Sequence, residues 1–354
     1  MPTMSTRHAL AVGALAFALS VIALGTACGG PPSADASETT PTSSESGGES
    51  YDCADLPAPR VRQLDGPIGA ADIAFDPLGN LIGSNTQDLF RATSATGQPA
   101  LWVPGIPSRA AVRQLSDGRL AVVQEMFFRV LVLTPDGSSA LLAGNLEYPF
   151  GLVEDRDGNI FIGDEIRVMR VDAASGEAEV WLETPDFSSR WLSFDRDYDG
   201  LFIGGRSPTI YRVPISATGE AGTPVEWGTL PLDDNPPLDP SDTGTDTGTD
   251  TGGEDPGGSE TGGEDPGVLT LVDGLGVDAC GNVYAAEFHS RGLYKIPAGG
   301  GLGELFVDWN EIEYGHGLQW GSGIGEWSET SLFLPQPYNE YNVIEVEIGV
   351  PSKQ

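Results

Sequence analysis

The thirteen residues Gly151-Leu-Val-Glu-Asp-Arg-Asp-Gly-Asn-Ile-Phe-Ile-Gly163 contain the unit from which this chain is built. A short apolar strand over 151–154 enters the polar turn Asp155-Arg-Asp-Gly-Asn159 and leaves as a second apolar strand over 160–163. The turn chemistry has a physical basis. A tight hairpin needs a residue tolerant of positive φ, which Gly158 supplies, and Asp or Asn side chains bond the nearby backbone. Arg167–Val171 and 178–182 then read as a third and a fourth strand.

The unit recurs. Asp72-Ile-Ala-Phe-Asp-Pro-Leu-Gly-Asn-Leu-Ile-Gly83 and Val112-Arg-Gln-Leu-Ser-Asp-Gly-Arg-Leu-Ala-Val-Val123 precede it. Trp191-Leu-Ser-Phe-Asp-Arg-Asp-Tyr-Asp-Gly-Leu-Phe-Ile-Gly204 and Gly274-Leu-Gly-Val-Asp-Ala-Cys-Gly-Asn-Val-Tyr-Ala-Ala286 follow, and Gly317-Leu-Gln-Trp-Gly321 begins a degenerate sixth. The turn glycines Gly79, Gly118, Gly158, Gly200 and Gly281 are 39, 40, 42 and 81 residues apart. The last interval contains a low-complexity insertion, 233–267, and without its 35 residues it falls to 46. A period near forty with four short strands per unit predicts an all-β, six-bladed β-propeller.

The sixth unit has strands at 331–334 and 343–348 and is one strand short. Arg60-Val-Arg-Gln-Leu64 belongs to no blade of its own, so it is expected to complete the last blade and close the ring. In that arrangement the start of the closing strand lies on the same face as the turn carrying Cys280. The chain from Cys53 to Arg60 can span the gap, which predicts a Cys53–Cys280 disulfide; the alternative is two buried thiols.

Residues 1–28 read as an export signal. Arg7 and His8 precede the apolar run 9–24, which has the length of a signal core and is short for a membrane span. Gly25-Thr26-Ala27-Cys28 resembles a bacterial lipobox, which implies lipidation of Cys28 and a lipid-anchored protein of the cell envelope. Ordinary cleavage after Ala27, giving a soluble secreted or periplasmic protein, is the other reading. Residues 29–50 are Gly, Pro, Ser, Thr, Ala, Asp and Glu only, too polar to offset the entropy of ordering, and read as a tether to a folded domain over 51–354. The insertion 233–267, with eleven acids and no base, reads as a disordered surface loop. The net charge of −34 argues against binding to nucleic acid or to an anionic bilayer through a basic face. Membrane contact is therefore expected through the lipid alone, and a monomer is expected.

Function is expected at the channel mouth, where the first residue of each innermost strand faces. These residues are Ala71, Ala110, Phe150, Arg190, Asp273 and His316. Asp273 and His316 are neighbours in that ring, and such a pair can act as a general base on water or can simply hydrogen-bond and fill the mouth. His289 falls in a mouth-side loop. Phe150, Trp191, Trp309, Trp320 and Trp327 offer aromatic surface to a ligand, in competition with packing between blades. Asp155-Arg-Asp-Gly-Asn159 is similar to the start of a calcium-binding EF-hand loop but lacks the distant glutamate, so a hairpin turn is expected there.

The repeats, and above all Asp273-Gly-Leu-Gly-Val-Asp-Ala-Cys-Gly-Asn-Val-Tyr-Ala-Ala-Glu-Phe-His-Ser-Arg-Gly-Leu-Tyr-Lys-Ile296, resemble the SMP-30/gluconolactonase family; NHL-type propellers have similar blades. The resemblance implies a channel metal, often calcium, that activates a lactone for hydrolysis. Its ligands would be a glutamate at the start of blade one, an asparagine from a middle blade and an aspartate in an Asp-Gly-Leu motif. Asp273 matches the aspartate. The glutamate falls at Ala70 or Ala71, and the asparagine motif aligns with Arg190-Trp-Leu192. One ligand of three is present, so no cofactor is expected from the residues, with calcium as the ion the family implies. Two functions follow. One is an exported propeller binding a small molecule or a protein at the channel mouth. The other is a divergent metal-assisted hydrolase of lactones or related esters using Asp273 and His316.

Overall fold

The computed structural model describes residues 52–65, 72–173, 175–231, 270–309, 316–337 and 342–353. The export signal, Cys28, the tether 29–50, Ala70, Ala71 and the insertion 233–267 lie outside them.

The repeated turn is held by its aspartate. In blade three, Asp155 Oδ1 accepts the backbone N–H groups of Asp157 (2.9 Å) and Asn159 (2.8 Å), and Oδ2 accepts the Asn159 amide (2.8 Å). Asp76 with Asn80 and Asp278 with Asn282 repeat the arrangement. This is a hairpin turn using its own carboxylate, as the sequence predicts. Gly79, Gly118, Gly158 and Gly281 take φ of 80°, 85°, 84° and 86°.

Blade four departs from the expected glycine position. Its left-handed residue is Tyr198, at φ 63°, while Gly200 begins the second strand. A bulky residue there is destabilising by roughly 1–2 kcal/mol. Its ring offsets this by stacking on Phe194 at 5.1 Å and lying under Arg156 (4.5 Å) and Lys353 (4.4 Å). Gly200 serves another purpose: a Cβ there would lie 2.5 Å from both the Arg212 guanidinium and the Asp195 carboxylate that pair beside it.

Six antiparallel sheets follow in chain order, each starting from its innermost strand. These strands are Ile73–Phe75, Val112–Gln114, Pro149–Glu154, Trp191–Phe194, Val272–Val277 and Gln319–Trp320. The sheets form a six-bladed β-propeller. Blade three is complete in sequence order: Pro149–Glu154, Ile160–Asp164, Arg167–Val171 and Ala178–Glu183. Blade six consists of Gln319–Trp320, Ser331–Gln336 and Asn342–Glu347, with Arg60–Leu64 outermost. That strand runs antiparallel to its neighbour from Arg60 opposite Glu347 to Leu64 opposite Val343. Cys53 and Cys280 are disulfide-bonded, with Cα atoms 5.6 Å apart.

Two links between blades add to the predicted plan. Gly301–Leu302 leaves blade five and pairs in parallel with Val225–Thr229, the outer strand of blade four. Residues 351–353 run along the turn face: Ala279 N–H donates to Pro351 O (3.0 Å), and Lys353 N–H to Val277 O (3.1 Å). The Lys353 ammonium then donates to the carbonyls of Phe194 and Asp195 in blade four.

Candidate binding site at the channel mouth

The mouth is built by an irregularity in the inner strands. In blade three the register shifts between Pro149 and Leu152, and in blade five between Val272 and Gly274. Such bulges turn a side chain away from the regular alternation and free backbone groups to bond elsewhere. The freed groups bond across blades. Ala111 N–H donates to Phe150 O (2.9 Å), Gly151 N–H to Arg190 O (2.7 Å), and Gly317 N–H to Asp273 O (2.5 Å). Four predicted mouth residues, Phe150, Arg190, Asp273 and His316, are thus drawn together on a fixed main chain. Ala110 is buried and presents only a methyl group.

Asp273 is the centre of this group and is 1% exposed. Its Oδ2 lies 2.5 Å from His316 Nδ1, its Oδ1 accepts the Trp191 indole N–H (2.9 Å), and the Arg190 guanidinium stands 3.6 Å from Oδ1. Burial pushes the carboxyl up; the charge and hydrogen bond of His316, the charge of Arg190 and the Trp191 donor outweigh it, leaving a pKa of about 2. Arg190 lies face-on over Phe150 at 3.5 Å and reaches Glu165 at 3.8 Å. Phe288 packs edge-on between His316 (4.9 Å) and His289 (5.0 Å). His289, as expected, stands in this mouth-side loop, 3.6 Å from Glu287. Glu287 fastens the loop by accepting the N–H groups of Leu271 and Ser290.

A second network, of which only Trp191 was in the predicted set, joins inner-strand residues of blades one, two, four and six. Asp72 is buried and accepts the N–H of Val112 (3.1 Å) and the Arg113 guanidinium. Arg113 passes 5.7 Å from the Trp191 ring, and Gln319, with its amide oxygen turned to satisfy both partners, accepts from Arg113 Nε at 2.8 Å. Burial raises the Asp72 carboxyl to about 7 against the opposing pull of Arg113. A charged residue at the start of an otherwise buried strand was the available signal at Asp72. An arginine inside Val112–Gln114 was the signal at Arg113. The partner Gln319 left no trace in a pattern read blade by blade.

The aromatic residues divide. Trp191, Trp309 and Trp327 are fully enclosed by packing, and Trp320 donates its indole N–H to Val350 O at 3.1 Å. Phe150 remains beneath Arg190. Exposed Tyr148, 5.0 Å from Phe150, joins it on the rim.

The residues do not fit the channel metal that the fold family implies. An ion on Asp273 would stand against the Arg190 guanidinium, and one on Asp72 against Arg113. Among the described residues no three His, Cys, Asp or Glu side chains gather as a ligand group.

The fold and its mouth define a six-bladed propeller with an axial polar site. Several solved structures share this fold. A gluconolactonase from Xanthomonas campestris is 13% identical, with a TM-score of 0.58 over 82% of this chain and 90% of its own. A catalytically inactive histidine-to-alanine variant of virginiamycin B lyase from Staphylococcus aureus, solved with quinupristin, is 13% identical, with a TM-score of 0.51 over 82% and 99%. An auxiliary nutrient binding protein from Bacteroides ovatus is 11% identical, with a TM-score of 0.55 over 82% and 76%. No family model matches the sequence, and no curated protein matches it.

Proposed function

We propose that this chain is an exported propeller, anchored through a lipid on Cys28 and the tether 29–50, that binds a small molecule at the channel mouth without converting it. The observation that carries this reading is the commitment of Asp273. Its oxygens are occupied by Trp191 and His316, with Arg190 beside them, so the one acid matching the family's metal ligands serves as a brace. A braced, buried acid holds surrounding groups in place for recognition. The nutrient-binding neighbour is consistent with a binding role on this fold.

A second reading, hydrolysis or elimination on a lactone, draws on the 2.5 Å Asp273–His316 contact and on the neighbour inactivated by loss of a histidine. In it His316 takes the proton and Asp273 orients the ring. Two measurements separate the readings. One is the hydrolysis of gluconolactone and homoserine lactone by the full chain above the spontaneous rate. The other is the indole N–H resonance of Trp191 during titration with sugars, lactones and small acids. A ligand-dependent shift without turnover is expected. Turnover that disappears in His316→Asn establishes the second reading, and a Trp191 signal unmoved by every compound removes the mouth as the site.

A further inference from the structure

Arg190 is the most unusual group at the mouth. It is 4% exposed and belongs to a guanidinium with five N–H donors. Among the described residues its Nε is buried without an acceptor, and the two terminal nitrogens stand 3.6 Å from Asp273 and 3.8 Å from Glu165. Those distances are beyond hydrogen bonding but within reach of charge. Asp273 is also engaged elsewhere, and Glu165 through Oε1 only, its Oε2 facing Arg190 without a hydrogen-bond partner. Asp273 accepts from Trp191 and lies against His316, and Glu165 Oε1 accepts from Arg206 Nε at 3.0 Å. The guanidinium is therefore balanced in charge while its Nε has no acceptor and its terminal nitrogens stand beyond hydrogen-bond distance of both acids. Burying unsatisfied donors is unfavourable, and the arrangement persists only where the surroundings enforce it.

The surroundings do enforce it. Arg190 O accepts the N–H of Gly151 (2.7 Å), and Arg190 N–H donates to Gly204 O (3.0 Å). A Cβ on either Gly151 or Gly163 would lie 2.5 Å from Arg190 O, so both positions need glycine for the backbones to approach. Phe150 holds the guanidinium plane from below at 3.5 Å. The fork is thus fixed in position, with its Nε donor unspent.

Resting on the mouth-binding reading above, we propose that Arg190 takes the carboxylate of a small aromatic acid. A planar carboxylate matches the guanidinium fork with two parallel, charge-assisted hydrogen bonds, where a neutral carbonyl offers a single acceptor. The flat apolar body of such an acid suits the aromatic lining. Phe150 and Tyr148 stand on one side, 5.0 Å apart, and Phe288 lies beside His316. Phe127 and Phe128 are exposed in blade two, and the carbonyl of Phe128 accepts Leu146 N–H at 3.1 Å on the approach to blade three.

The test is titration of the full chain with benzoate and phenylacetate and with the corresponding amides, followed by calorimetry and by the Trp191 indole N–H signal. The acids are expected to bind saturably, about tenfold or more tighter than the amides, and to shift Trp191 through Asp273. Arg190→Lys, which keeps the charge and removes the fork, should weaken the acids about tenfold and leave the amides unchanged. Amides that bind as tightly as acids, with the same Trp191 shift, would overturn the carboxylate assignment while keeping the mouth as a site. Unchanged acid binding in a folded Arg190→Lys would do the same. A Trp191 signal that none of the four compounds moves would overturn both. Should the variant fail to fold, the comparison of acid with amide on the native chain decides alone.

Discussion

Trp191 is where the two axial networks meet, since its indole N–H binds Asp273 while Arg113 lies over its ring. The two acids it links respond to pH in opposite ways. Asp273 has a folded pKa of about 2, below its ordinary 3.8. Its stabilisation is complete above about pH 4 and is lost as pH falls through about 2, a contribution on the order of 2 kcal/mol. Asp72, raised to about 7, works the other way: stability falls as pH rises from about 4 to about 7, then levels. Urea unfolding across this range should show both effects. Asp273→Asn should lose the acid limb and reduce stability at neutral pH by roughly 3–5 kcal/mol, because Arg190 loses a buried counter-charge. For Asp72→Asn, the advantage of the native chain over the variant should shrink steadily between pH 4 and 7. Equal slopes in the two chains would show that Asp72 is ionised throughout. At this scale the sequence is informative where spacing governs. Phe150, Arg190 and Asp273 each stand eight residues before the left-handed residue of their turn, Gly158, Tyr198 and Gly281. The partners across the ring, Asp72 with Arg113 and Gln319, depend on side chains from different blades meeting, and periodicity carries no information about that.

The closing strand is the element that couples the two ends of the described chain. Arg60–Leu64 brings cross-strand ion pairs, Arg62 with Glu345 at 2.5 Å and Arg60 with Glu347 at 3.5 Å. Both arginines are largely exposed, so each pair contributes at most about 1 kcal/mol. Strand pairing and the disulfide matter more. Cys53–Cys280 spans 227 residues of sequence, and in the chain-entropy account a closure that long stabilises by about 5 kcal/mol. Cys53→Ser should therefore lower the melting temperature by roughly 10 °C. Cys280→Ser should match it, and the double variant should add nothing further. Calorimetry of the three variants checks this; additive losses would mean that the side chains act separately rather than through one bond. The strand was legible because Arg60–Leu64 stood outside every blade while the last blade lacked an edge. The Gly301–Leu302 and 351–353 links were not legible. Each is two or three residues long and pairs through backbone atoms, which any sequence supplies, with the Lys353 ammonium as the one side chain that adds to them.

Over the whole molecule, the chain carries a net charge of −34 and its proposed ligand is an anion. The two act over different ranges. The field of the acids reaches the approaching ligand through solvent and is screened by salt, whereas the contact with Arg190 is buried and screened much less. Adding salt should therefore tighten benzoate binding, the reverse of the usual loss of steering between opposite charges. Between about 0.01 and 0.15 M the gain should be about tenfold and should appear mainly in the association rate. Benzylammonium, of similar shape and opposite charge, is the control: whatever its affinity, salt should weaken it. Deleting 233–267 removes eleven acids and takes the charge from −34 to −23, so the salt dependence of benzoate should flatten in that chain. Stopped-flow measurement of the association rate against ionic strength decides the matter. A rate that falls with salt would mean that the mouth presents a local positive field strong enough to override the whole. In that case Arg190 and Arg206, rather than the acids outside, would govern the approach of the ligand.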